Sequence, residues 1–78
     1  MISYAPFWAT LKKKKISTYT LITTYHISSA TIDRMRKGNG ISTMKIDDFC
    51  KILNCNVEDI IEYKEDADIA EQSTKKNT

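Results

Sequence analysis

Apolar residues fall in short clusters along the chain, and the spacing inside each cluster indicates the element it belongs to. Met1-Ile2-Ser3-Tyr4 alternates apolar and polar, the period of an extended strand, and stops just before Pro6. Pro6 suits the first turn of a helix, where its missing N–H costs nothing, and Phe7, Trp8 and Leu11 carry that helix to about Lys13–Lys15. Ser17 is placed to cap a second helix, Thr18 to Tyr25, that buries Leu21 and Ile22. This segment is rich in β-branched residues, and local propensity alone would permit a strand. The spacing of Leu21, Tyr25 and Ile27 instead fits a helix running into a turn, with Tyr25 helping to close it. Ile32 and Met35 lie three apart and face inward on a third helix, which Ser28 caps and Gly38 ends. Ile46, Phe49, Cys50 and Leu53 form the stripe of a fourth helix, capped by Ser42 or Thr43 and reaching about Asn54. Asp47 and Asp48 sit in its early turns, where the helix dipole favours negative charge. Val57-Glu58-Asp59-Ile60-Ile61 reads as a short fifth helix. Glu62-Tyr63 then runs extended and can pair with Ile2-Ser3-Tyr4 as a minimal two-stranded ribbon. The expected fold is all-α, five short helices with that ribbon joining the N-terminus to residues 61–63.

Composition adds bounds. Seventy-eight residues make one small domain near the size where a single core is just sufficient. Residues 1–63 hold every apolar stripe, whereas residues 64–78 are polar and read as a mostly disordered tail. No apolar run approaches membrane-spanning length and no signal-peptide core follows Met1, so a soluble cytoplasmic domain is expected. Cys50 and Cys55 are too few for a disulfide scaffold, which fits a reducing compartment.

Charge changes the picture more. Residues 1–45 carry eight cations against the single acid Asp33, a net +7, whereas residues 46–78 carry four cations against nine acids, a net −5. A polyanion is therefore expected on the N-terminal part and not on the C-terminal part. The third helix concentrates the effect: small polar residues stand at its front and Arg34, Arg36 and Lys37 at its back. Such a helix suits the major groove, with its front on base edges and its cations on phosphates. A plain solvated helix of any bundle shows the same pattern. Lys12 to Lys15 read more simply as a solvated helix end.

Catalytic chemistry finds little support. The chain has one histidine, His26, with no partner nearby, no nucleophile–base pair, no phosphate-cradling glycine loop and no acidic metal cluster. His26 reads as a turn residue, because His is enriched in left-handed backbone conformations. Cys50 and Cys55 are not spaced as metal ligands, and Cys50 reads as a small buried hydrophobe. Trp8 reads as core. No cofactor, metal or enzymatic activity is expected.

Helix, tight turn and helix from Ser17 to Lys37 resemble the phage-repressor and Cro-like helix-turn-helix family. The resemblance is carried by Ser17-x-x-x-Leu21, by the turn Tyr25-His26-Ile27-Ser28, and by Ser28-x-x-Thr31-Ile32-x-Arg34-Met35-x-x-Gly38. Phe49 to Cys55 followed by Val57 to Ile61 looks like that family's fourth and fifth helices, and the two end segments look like a compact subgroup of it. Three positions depart from the family pattern. Ile22 stands where a small residue is usual, His26 where glycine is common, and Thr18 where glutamine or a similar phosphate-binding residue is usual.

Carried over position by position, the resemblance implies base-edge contacts from Ser29, Ala30, Asp33 and Arg34. Ala30 would pack on a thymine methyl and Arg34 pair with a guanine edge, whereas Asp33 would either meet a base edge or hold Arg34 or Lys37 in place. It implies phosphate contacts from Thr18, Ser28, Thr31, Arg36, Lys37, Asn39 and Thr43. The expected function is a double-stranded-DNA-binding transcriptional regulator, acting as a homodimer on a near-palindromic site. The acidic tail keeps a second expectation open, an antitoxin-like or anti-repressor module that grips a protein partner and binds DNA secondarily.

Overall fold

The computed structural model describes residues 1–65. Its elements follow the order β1 (Ile2–Ser3), α1 (Ala5–Lys14), α2 (Thr18–Thr23), α3 (Ser29–Arg36), α4 (Thr43–Leu53), a 3-10 turn (Val57–Asp59) and β2 (Glu62–Tyr63). The tail reading for residues 64–78 falls, from residue 66 onward, outside the described residues.

Serine hydroxyls start three of the helices. Ser17 accepts from the Thr20 N–H at 3.1 Å, Ser28 from Ala30 at 3.1 Å and Ser42 from Lys45 at 3.3 Å. Each satisfies an N–H that has no partner inside the helix. Ser42, not Thr43, caps α4. Three of the helices stop at a residue in the left-handed region. Gly38 (φ 79°) ends α3, with the Gly38 N–H on the Met35 carbonyl at 3.1 Å and the Asn39 N–H on the Arg34 carbonyl at 2.8 Å. Those two bonds define a Schellman motif. Non-glycine residues do the same at Lys15 (φ 58°) after α1 and Asn54 (φ 51°) after α4, and His26 (φ 59°) is left-handed in the turn that follows α2. His26 thus takes the left-handed turn role expected of it.

Two expected elements are shorter than their sequence implies. α2 ends at Thr23 instead of Tyr25, because the chain turns back at once. The Ile27 N–H donates to the Leu21 carbonyl at 3.0 Å, the left-handed His26 makes the bend, and Tyr25 lies 43% exposed instead of closing the turn. The fifth helix is only a 3-10 turn. Asp59 and Ile60 N–H groups reach back three residues, to Asn56 and Val57 carbonyls, and the Asp59 carboxylate accepts the Asn56 N–H at 3.0 Å. The chain must then extend to meet β1, which leaves no length for another turn. Among the described residues there are therefore four α-helices where five were expected.

The ribbon forms as expected. β1 and β2 are antiparallel, with Ile2 opposite Tyr63 and Ser3 opposite Glu62. Beneath it the core consists of Tyr4, Phe7, Leu11, Leu21, Ile27, Ile32, Met35, Phe49, Leu53 and Ile60. The Phe7 and Phe49 rings meet at 4.9 Å. Ile22 and Cys50 are half-buried at the edge of this core, as is Trp8, whose ring meets Phe7 edge-on at 4.8 Å. Two buried hydroxyl bonds tie distant segments together: Thr10 donates to the Asp59 carbonyl and Tyr4 to the Asn39 carbonyl, each at 2.8 Å. The second holds the loop after α3 against the N-terminus.

Candidate nucleic-acid interface

α3 is built on Thr31, Ile32 and Met35, which it buries, so Ser29, Ala30, Asp33, Arg34 and Lys37 are left on its exposed side. All four residues expected at base edges lie on this surface, and none carries a bulky apolar group that would keep a helix out of a groove. The flanks are electropositive for a second reason. No acidic residue occupies the first turn of α2, α3 or α4. Helices usually place Asp or Glu there to offset the positive end of the dipole. Free N–H groups and an uncompensated dipole together favour an anion.

The residues expected at phosphates fall into separate places. Arg36 and Thr18 come together: the Arg36 Nη2 donates to the Thr18 hydroxyl oxygen at 3.2 Å. The same guanidinium lies 5.9 Å from the centre of the Trp8 ring, a cation–π contact that joins α1 to α3. Trp8 is thus part core and part platform for an arginine. Ser28 is occupied as a cap acceptor, but its hydroxyl hydrogen can still donate. Thr31 is 8% exposed and lines a recess with Arg34, Gly40, Ile41, Ser42 and Lys45. Asn39 is exposed in the loop. Thr43 lines a different groove, among Ile46, Cys50 and Val57.

Nearby groups engage the outward side chains. Lys37 Nζ lies 3.1 Å from the Asp33 carboxylate, both well exposed, so the alternative role expected of Asp33 is present. An exposed pair of this kind is worth little and yields readily to a stronger anion. Arg34 donates its Nε–H to the Gly40 carbonyl at 3.0 Å, which leaves the two terminal nitrogens of its fork free to pair with an acceptor edge.

Sequence reasoning passed over Lys45. It stands half-buried in the first turn of α4, beside Arg34 and Ser42, and among the described residues no carboxylate pairs with it. A lysine at the positive end of a helix works against the dipole, and that conflict was the available signal: it makes sense where an anion comes between them. The Gly40 carbonyl was missed as well, and no local signal marks it.

Among the described residues, no group of three or more His, Cys, Asp or Glu could hold a metal, and no helix is long and apolar enough to cross a membrane. What the fold displays is a short helix presented by a tight turn from its predecessor, the arrangement of a helix-turn-helix DNA-binding domain. The chain belongs to the Cro/C1-type HTH DNA-binding domain family, whose model matches residues 7–66. Among solved structures it is similar to the transcriptional regulator VanUg, with 28% identity over 78% of this chain and 81% of that one and a TM-score of 0.72. No curated protein matches it.

Proposed function

We propose that this protein is a transcriptional regulator, not an enzyme, and that it reads double-stranded DNA by inserting α3 into the major groove. The observation that carries this reading is the exposed side of α3, with Ser29, Ala30, Asp33 and Arg34 unobstructed beside acid-free helix N-termini. Arg34, its fork turned outward by Gly40, reads a guanine, and Ala30 packs on a thymine methyl. Phosphates are held by Thr18, Ser28, Arg36, Lys37, Asn39 and Thr43, with Thr31 and Lys45 meeting one at their shared recess.

A homodimer follows from length. Eight helical residues span about 12 Å, or roughly three to four base pairs, too few to mark one site in a genome. Two copies related by a two-fold axis read two half-sites about one helical turn apart. Selection of a randomised duplex library on the purified protein at near-physiological salt tests this. A two-fold symmetric motif is the expected outcome. An unenriched pool would overturn DNA reading and favour the protein-gripping alternative.

A further inference from the structure

Two thiols at the end of α4 take no part in the DNA-reading surface. α4 leaves the helix through Asn54 at φ 51°, and the Cys55 N–H donates to the Cys50 carbonyl at 3.1 Å. This is the six-to-one bond of a Schellman motif, in which the side chains at the two ends of the bond meet as a small apolar contact. Here both ends are cysteines. Their α-carbons lie one and two covalent bonds from the ends of that hydrogen bond, so the two residues are brought close, as a disulfide requires with its α-carbons about 4.4–6.8 Å apart. Both thiols are free and half-buried, and both line an open groove with Ile46, Val57 and Ile61, so small solutes reach them. The Cys55 thiol is pushed above its usual 9.0, first by burial, then by the charge of the adjacent Cys50 sulfur and of Asp59, and by a hydrogen bond with Cys50.

We propose that Cys50 and Cys55 form a reversible intramolecular disulfide, a thiol-modification site at the end of α4 that responds to low-molecular-weight disulfides. The Cys50 thiolate attacks one sulfur of the oxidant RSSR, whose S–S bond breaks to release the first RS⁻ and leave a mixed disulfide on Cys50. Cys55, whose thiolate burial disfavours, takes the intramolecular second step: it attacks the Cys50 sulfur, the bond to R breaks, and the second RS⁻ leaves. The protein gives up two electrons and two protons, and the oxidant is reduced to two thiols. The product staples the last turn of α4 to the segment leading into the 3-10 turn, which is itself held to α1 through Thr10 and the Asp59 carbonyl.

The test equilibrates the full chain in buffers of rising oxidised-to-reduced glutathione, quenches by alkylation and reads the intact mass. Expected is a single shift to a monomer lacking two hydrogens and carrying no alkyl group, reversed by dithiothreitol, with a melting midpoint higher by at least about 4 °C. C50S and C55S should each yield only the mixed glutathione disulfide. Wild-type thiols that stay alkylatable, or that link only to glutathione or to a second chain, would overturn the proposal. So would an oxidised monomer that melts at the reduced midpoint.

Discussion

α3 and α4 are built with the same local devices. Each starts at a serine cap, each lacks an acid in its first turn, and each carries an Asp–Lys pair one turn apart at 3.1 Å, Asp33–Lys37 and Asp47–Lys51. They differ in how bulk is arranged around the cylinder. α4 buries Phe49 and Leu53 and leans Ile46, Cys50 and Ile52 on the core, so most of its circumference is committed to packing. α3 commits Thr31, Ile32 and Met35 and leaves a side of small and charged residues open. Caps and ion pairs therefore say where a helix lies. The width of the open side says which helix can meet a ligand.

That contrast breaks first at Phe49. Phe49→Ala removes a fully buried ring from α4 and should cost about 3–5 kcal/mol in urea or thermal unfolding, with the base preference of the remaining folded protein unchanged. Arg34→Ala should do the reverse. Affinity for the best duplex should fall by about 1–3 kcal/mol and discrimination at one base pair should relax, with stability changed only by loss of the exposed bond to Gly40. A preference that survives the change would remove Arg34 from the reading surface.

Gly38→Ala tests the turn that ends α3. An added Cβ meets nothing within 4 Å, so the cost is that of the φ of 79° alone, about 1–2 kcal/mol of stability. Lys45→Ala sits at the boundary, on α4 but facing the recess beside Arg34. It should weaken all duplexes alike and lower the slope of affinity against salt by about one, measured by titration at several ionic strengths.

The smallest effect lies at the far end of α4. Burial raises the Cys55 pKa above 9.0, so the folded state holds its proton where the unfolded chain has begun to lose it. That contribution is complete below pH 9.0 and is lost as pH rises through the folded value. Unfolding of the reduced protein followed between neutral and strongly alkaline pH should show this decline, and C55S should flatten it.

Much of this division was legible beforehand. The inward pair Ile32 and Met35, the stripe of α4 and the caps Ser17 and Ser28 follow from spacing and hydrogen-bonding chemistry within a few residues. The pairing of Ile2–Ser3 with Glu62–Tyr63 follows from two short extended segments at the borders of the apolar stripes. α2 and the fifth helix came out too long, because Thr18 to Tyr25 and Val57 to Ile61 keep apolar spacing to their last residue. Spacing does not record where the chain is pulled back, and in both places a backbone hydrogen bond to an earlier carbonyl does that.

Local chemistry thus determined which residues turn inward, where helices begin, and that cations gather on the N-terminal half. These depend on helical and strand periods and on side chains bonding their own backbone. The tertiary structure decided the rest: that Arg36 reaches Thr18 and Trp8, that Arg34 leans on Gly40, that Lys45 joins the recess, and that two cysteines meet at the end of α4. Each of these depends on how the backbone turns after a helix and what that turn brings alongside. No periodicity within a helix encodes the direction in which the chain leaves it.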